Sequence, residues 1–343
     1  MSYLLEGKPV RRLQIPELRR ELRPFQDLLA CWRILHCLLR ERPQVLHTHT
    51  AKAGAVGRAA GAGYRLLTGE KLKIFHTFHG HVLEGYFGRW KTRFFCQIER
   101  LLGKTAACLI TLSETLRQEL GELGIAPVSK IRVVPLGLPL EKLLALPLPE
   151  PGPPLTVGLV GRLVPIKNHP MLFEAIQILR QKGAGSGMKF LLYGDGELRG
   201  TLMELAEKSG ILPRVEFRSW EQDVCALYRT LHAVCLTSRN EGTPVSLIEA
   251  MAAGRPFLST RVGGVPDLAG KVLREEAGFQ LCERGILVRQ DDAGGLAAAL
   301  KHLALHPELA RTLGETGREF AGRQFTLERL THDIDQLYRE FLS

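Results

Sequence analysis

Asn240-Glu-Gly-Thr-Pro-Val-Ser-Leu-Ile-Glu-Ala-Met-Ala-Ala-Gly254 follows the apolar run Ala233–Thr237, and its reading decides the fold. A short β-rich run ends in a polar loop carrying Glu241, and a helical pattern begins at once. Thr243 reads as the N-cap and Pro244 as the first residue of a helix reaching Ala253. Free N–H groups and the positive dipole end at Val245 and Ser246 would attract a phosphate or a sugar oxygen. Glu249 lies eight residues beyond Glu241, along the same helix. Carboxylates at a helix entrance accept hydrogen bonds from ligand hydroxyls, but beside a phosphate they need cations nearby. An ordinary capped helix with solvent-facing glutamates fits the spacing equally well.

The cations stand upstream. The strand pattern Leu155–Val160 runs into Gly161-Arg162, and Lys167-Asn168 precedes a helix over Pro170–Gln181. Arg grips phosphate bidentately and Lys adds a point charge, so a strand, a glycine, these two residues and a helix start make an anion cradle. A third glycine turn, Tyr193-Gly-Asp-Gly-Glu197, lets a ligand or backbone approach closely, so Gly161 and Gly194 are candidates for phosphate approach. The turn does not match the GxGxxG spacing of a dinucleotide site and follows the second strand of its half.

Working outward, apolar β-rich runs alternate with helical patterns. In the first half the strands are predicted at Val10–Ile15, Val45–Thr48, Ile74–Phe78, Cys108–Leu112 and Ile131–Val134, with helices at 25–39, 55–63, 92–102 and 114–124. In the second half they are predicted at 155–160, 189–193, 215–217, 233–237, 256–259 and 285–288, again with helices between. Short buried strands alternating with helices imply parallel sheets covered on both faces. The stretch LPLPEPGPP, five prolines in nine residues from Leu146, breaks the pattern as a stiff linker. The expected organisation is therefore an α/β domain over 1–146, a linker over 147–154, a second α/β domain over 155–315 and a terminal helix over 316–343. Ligands in such sheets bind at the carboxyl strand ends, here the cleft between the domains.

Residues 1–150 hold 23 Lys+Arg against 13 Asp+Glu, whereas 151–343 hold 23 against 23, so the whole net charge of +10 lies in the first half. A basic half attracts anionic membrane, phosphorylated substrates or nucleic acid. Nucleic acid is disfavoured, because the basic residues are spread over several elements without a recognised binding module. Leu83–Phe95, LEGYFGRWKTRFF, interleaves aromatics with arginine and lysine as a membrane-interface segment does, though a core helix preceded by a loop fits as well. No apolar run approaches the ~20 residues of a spanning helix, and the opening residues lack a signal peptide's apolar core. Seven scattered cysteines without a CxxC pair suit free thiols in a reducing cytosol. His47 and His49, on one face of a strand, join His76, His79 and His81 as polar lining of the cleft rather than a zinc site. No Asp-x-Asp pair stands at a strand end, so a metal-independent mechanism without a cofactor is expected.

Taken together, NEGTPVSLIEAMAAGRPFLSTRVGGVPDL, GRLVPIKN, YGDGEL, HTHTAKAG, TFHGHVLEGYFG and VVPLG resemble the retaining glycosyltransferases of family 4 over nearly the whole chain. The resemblance implies the GT-B fold, two Rossmann-like domains facing across a cleft, and a nucleotide-diphosphate sugar as donor. It implies that Arg162 and Lys167 neutralise the donor diphosphate and that Glu249 binds the ribose. Glu241 and the backbone of Gly242, Thr243, Pro244 and Val245 would hold the transferred sugar, with His79 approaching from the opposite domain. The family opens with a strand, a glycine-rich loop, a helix and another strand before anything like GKPVRRLQIPELRRELRP. The first domain is thus expected to be truncated, with a gap and two unpaired strand edges where its central strand would lie.

The expected activity is a cytosolic hexosyltransferase, peripheral to the membrane, acting in polysaccharide or cell-envelope synthesis on a lipid-linked or glycan acceptor with retention. A nucleotide-sugar 2-epimerase of the same fold and a truncated, non-catalytic nucleotide binder are the alternatives.

Overall fold

The computed structural model describes residues 11–343 apart from 20, 22, 81–88, 151–154 and 186. The first domain runs α1 (Pro24–Glu41), β1 (Val45–His49), α2 (Ala51–Thr68), β2 (Lys73–Phe78), α3 (Arg89–Thr105), β3 (Cys108–Thr111), α4 (Glu114–Glu122), β4 (Ile131–Val133) and the short α5 (Glu141–Leu144). The second runs β5 (Leu155–Val160), α6 (His169–Gln181), β6 (Met188–Tyr193), α7 (Arg199–Lys208), β7 (Val215–Arg218), α8 (Val224–Arg229), β8 (Ala233–Leu236), α9 (Val245–Ala252), β9 (Phe257–Thr260) and α10 (Val265–Ala269). It continues through β10 (Val272–Glu276), β11 (Phe279–Cys282), β12 (Gly285–Val288) and α11 (Ala293–Leu305), before α12 (Pro307–Gln324) and α13 (Leu327–Leu342). The molecule is α/β with two separate parallel-rich sheets, a GT-B architecture.

The first sheet has the order β1-β2-β3-β4, all parallel. Three right-handed crossovers stepping in one direction place α2, α3 and α4 on a single face. The other face is covered from the far end of the chain: Leu330, Ile334, Leu337, Tyr338 and Phe341 of α13 pack on Phe75, Cys108, Ile110 and Val134. The crossing falls at Phe325–Thr326, where Leu138 N donates to Phe325 O at 2.8 Å. Its partner α12 stays behind against α9, with Gly314 too close to the Gly254 carbonyl for any Cβ, 2.4 Å away.

Two expectations for this domain fail. Arg11–Ile15 form no strand, and Val10 lies outside the described residues. Nor do two strand edges face each other across a gap: among the described residues no strand precedes β1, which pairs on its inner side with β2 from Val45↔Lys73 to His49↔Thr77. Among the described residues the sheet's two outer edges, those of β1 and β4, have no partner strand.

The second sheet has the order β10-β11-β12-β9-β8-β5-β6-β7. From β5 the chain winds outward through β6 and β7, then returns to the other side of β5 at β8. That reversal is a topological switch point between β5 and β8, where the loops after the two strands diverge and leave a crevice. The antiparallel hairpin β10–β11 went unread in the sequence: VLREE is charged, exposed and short, and its partner FQLC follows after a turn containing Gly278 at φ +96°.

Candidate active site

The switch point brings the two marked loops of the second domain together. After β5, Gly161 N donates to Tyr193 O and Leu163 N to Asp195 O, which fastens the first loop to the glycine turn after β6. A Cβ on Gly194, held at φ +141°, would lie 2.0 Å from Gly161 O, and one on Gly196 would lie 2.4 Å from Leu163 O. The close approach that Gly194 permits is thus to the Gly161 backbone. A Cβ on Gly161 would meet the Lys167 side chain at an ordinary 3.6 Å.

Lys167 sits at the end of a 3-10 turn and reaches across to the loop after β8. Its Nζ lies 2.5 Å from Oε1 of Glu241, and the buried Ser238 hydroxyl donates to the same oxygen at 2.5 Å. Thr237 Oγ1 donates to the Lys167 carbonyl and Arg239 N to Ile166 O, so backbone and side chains both clamp one loop to the other. The pair is mostly withdrawn from water, at 17% and 11% side-chain exposure, where opposite charges attract more strongly than at the surface. Arg162 is exposed and has no side-chain partner among the described residues.

Thr243 does not cap the next helix. Pro244 is the N-cap residue, its carbonyl accepting from Leu247 N and Ile248 N, and α9 begins at Val245 with no side-chain cap. Proline's fixed φ, −72° here, suits the half-in cap position, so the boundary moves one residue on and the first N–H groups keep no side-chain acceptor. Further along α9, Glu249 accepts from the hydroxyl of the buried Tyr228 at 3.0 Å, while that hydroxyl also lies 2.9 Å from Ser246 O. Burial pushes the Glu249 carboxyl up and the Tyr228 bond works the other way. A hydroxyl donor to the free carboxylate oxygen would satisfy what burial leaves wanting.

The facing wall comes from the first domain. A Cβ on Gly242 would lie 2.8 Å from His79 O and 3.0 Å from Gly80 Cα, so the loop after β2 touches the glycine next to Glu241. His79 and His49 stand at neighbouring strand ends, with His79 Nε2 3.0 Å from His49 Nδ1. Behind them His47 stacks on His49 and bonds Tyr338 of α13 and Thr77. Burial lowers all three histidines, His47 to about 4 with help from its two neighbours, so the cluster is neutral at pH 7. Directly after His49, Thr50 is held at φ 64°, ψ 157°, a region that costs a β-branched residue ~1–3 kcal/mol. A second cross-domain contact joins Thr115 N and Oγ1 at the start of α4 to Asp267 of α10, at 3.2 and 3.1 Å.

The sequence-predicted residues thus meet in one cleft: Lys167, Glu241, Gly242 and His79 in direct succession, with Arg162, Gly161 and Gly194 on the adjoining loops and Glu249 on α9. Ser238, Tyr228, Tyr338, Thr115 and Asp267 were missed. Only Ser238 carried a local signal, its place three residues before Glu241. His81 and the Leu83–Gly88 part of the aromatic-basic segment lie outside the described residues, and Phe94 of α3 is 63% exposed. Among the described residues no three His, Cys, Asp or Glu side chains are grouped to hold a metal ion, and no helix is long and apolar enough to cross a membrane.

Comparison with known proteins bears on the family and the fold. Residues 5–137 match the family model of a glycosyl transferase 4-like domain, and residues 154–306 match that of glycosyl transferases group 1. The two matches together take in most of the chain, which belongs to the GT-B glycosyltransferases. The chain is 27% identical over 274 residues to an Escherichia coli UDP-Gal:alpha-D-GlcNAc-diphosphoundecaprenol alpha-1,3-galactosyltransferase, covering 74% of this chain and 67% of that protein. It is 25% identical over 341 residues to the Staphylococcus aureus capsular polysaccharide biosynthesis glycosyltransferase CapM, covering 95% and 84%. Anabaena HepE, solved in complex with UDP, shares the fold at a TM-score of 0.75 and 18% identity, over 91% of this chain and 82% of that one.

Proposed function

We propose that this chain transfers a sugar from a nucleoside diphosphate sugar to a lipid-linked or glycan acceptor, with retention of anomeric configuration and without a metal ion. The observation that carries the reading is the Lys167–Glu241 pair at the switch point, beside the point where Gly242 meets His79 and Gly80. In this reading Arg162 and Lys167 take the diphosphate, whose negative charge grows as the glycosidic bond breaks. Preorganised cations and the open N-terminus of α9 stabilise that charge best in the transition state. Because they supply positive charge where a divalent ion would otherwise be needed, no metal enters the scheme.

Glu249 holds the ribose hydroxyls, with Tyr228 fixing its carboxylate. Glu241 and the backbone from Gly242 to Val245 hold the transferred sugar, and His79 closes on it from the other domain. The relatives named for UDP-galactose and bound to UDP put uridine first among the bases. A lipid-linked acceptor suits the basic first half, which would hold the enzyme at the cytoplasmic face of an anionic membrane.

The test is a thermal melt with UDP, GDP and ADP, followed by turnover of the matching sugar nucleotides with and without EDTA. A nucleotide at a hundred times its dissociation constant adds ~2.7 kcal/mol and raises the midpoint by several degrees. Glu249→Ala is expected to abolish that rise, whereas Glu249→Gln keeps part of it. Wild-type kinetics in Glu249→Ala would sink the assignment.

A further inference from the structure

The first-domain wall holds a row of ring contacts that the roles above do not use. The Tyr338 hydroxyl lies 2.5 Å from His47 Nδ1, and His47 Nε2 lies 2.7 Å from Thr77 Oγ1. Both ring nitrogens of His47 are thereby engaged, so its ring cannot turn. His49 stacks on that fixed ring at 4.3 Å between centroids and 28° between planes. From the stack, His49 Nδ1 reaches His79 Nε2 at 3.0 Å. The contact occupies Nε2 of His79 and leaves Nδ1 as its remaining polar atom. Thr50, in backbone space almost closed to β-branched residues, marks the end of β1 as a place held against local preference.

Two neutral imidazoles in contact share one proton between the facing nitrogens, so one ring must donate and the other accept. Which ring donates decides what His79 offers the cleft. If His79 donates, its Nδ1 is bare and can only accept. If His49 donates, Nδ1 of His79 carries a proton and can donate to an oxygen. We propose that His49 is a positioning residue that donates through Nδ1–H to His79 Nε2. It fixes the His79 ring and places its proton on Nδ1, facing an oxygen-rich ligand. The proposal rests on the reading of the cleft as a sugar-transfer site. Donors are what a sugar oxygen or a departing diphosphate requires, since both gain from hydrogen bonds to growing negative charge. His47, Thr77 and Tyr338 are the buttress, so the last helix of the chain sets the orientation of a residue in the cleft.

The experiment uses the full chain labelled with 15N-histidine, with the His79 signals assigned by their loss in His79→Gln. At pH 7.5, His79 is expected to show a protonated Nδ1 and a bare Nε2. His49→Leu releases that preference, and His49→Asn keeps it, because the amide nitrogen can donate from about the position of Nδ1. In turnover, His49→Leu should lower kcat about tenfold or more with donor KM within about twofold, and His49→Asn should recover most of the loss. A proton on Nε2 of wild-type His79 overturns the proposal, as does an equal loss in the Leu and Asn variants, or a His49→Leu enzyme with wild-type kcat. If the wild-type chain turns over no sugar nucleotide, the functional reading fails, and the tautomer of His79 still decides the pairing.

Discussion

The two sheets reach the same cleft by different routes. In the second domain the order reverses beside β5, and the crevice so made draws Gly161–Asn168 and Thr237–Pro244 together. Its far edge strand β10 is exposed and carries Arg274, Glu275 and Glu276, the charged edge that discourages pairing with another chain. The first sheet has no reversal. Its polar residues gather at the ends of adjacent strands, as His49 and His79 do, and its neighbour α1 turns Phe25, Leu28 and Trp32 to solvent at 82%, 70% and 60% exposure. A switch point builds a site from loops. A simple parallel run builds one from strand ends, and needs a helix from elsewhere to cover its second face.

If the domains are as separate as their sheets, damage to the core of one should leave the other intact. Arg58 of α2, fully buried, pairs with Glu99 of α3 at 2.8 Å and lies over Phe78. Arg58→Met strands a buried carboxylate and is expected to cost about 3–5 kcal/mol. The melt should split, with the nucleotide-dependent transition keeping its wild-type shift. A single lowered transition would show that the domains unfold as one.

The sharper counterpart lies at the switch point. Glu241→Ala removes the shared acceptor of Lys167 and Ser238, and turnover should fall about a hundredfold or more, which is roughly 2.7 kcal/mol. The stability loss is smaller, about 1–2 kcal/mol, because the freed Lys167 ammonium can still reach water. Retained turnover in this variant would detach the glutamate from the chemistry.

The second domain was legible because its site is local in sequence. Gly161-Arg162, Lys167 and Glu241 stand at strand ends and helix starts, where residue type and position together announce an anion or polyol site. Even there the helix boundary slipped by one, since Thr243 and Pro244 both carry capping signals and only geometry chooses. The first domain was less legible because its site is assembled over distance. Tyr338 meets His47 across nearly the whole chain, and no spacing rule connects them. Arg11–Ile15 shows the converse failure: the alternation of Leu13 and Ile15 with polar residues, without a partner strand, does not make a strand.

The same contrast should appear against pH. His47, lowered to about 4, and His76, lowered to about 2 chiefly by burial, stay neutral in the folded first domain while they protonate readily when unfolded. The unfolded chain then binds more protons, so stability falls as pH drops through 6.5 and goes on falling toward 4. Partial exposure of His47 screens its share to about 1 kcal/mol between pH 7 and 5. In the second domain His169, lowered to about 4 by burial and then Lys167, works in the same direction. Melts followed by a first-domain probe such as Trp32 should lose more of their midpoint on acidification than those followed by Trp220. Equal loss would mean that the histidine cluster is not what makes the first domain acid-sensitive.

The smallest effect is expected on the outward face of α1, and it tests what that face touches. The helix is apolar around most of its circumference: Cys31, Ile34, Leu35 and Leu38 face inward onto Ala60, Tyr64 and Ile74, while Phe25, Leu28 and Trp32 face out. An all-round apolar helix usually has partners on both sides. Inward, Leu38→Ala should cost about 2–5 kcal/mol. Outward, Phe25→Ser with Trp32→Ser should stay within about 0.5 kcal/mol, because side chains that water already surrounds have no burial to lose. If the double variant instead melts several degrees lower, or its loss grows with protein concentration, the outward face is covered in solution by polypeptide, and the open edge of β1 beside it is the place to look for the strand that covers it.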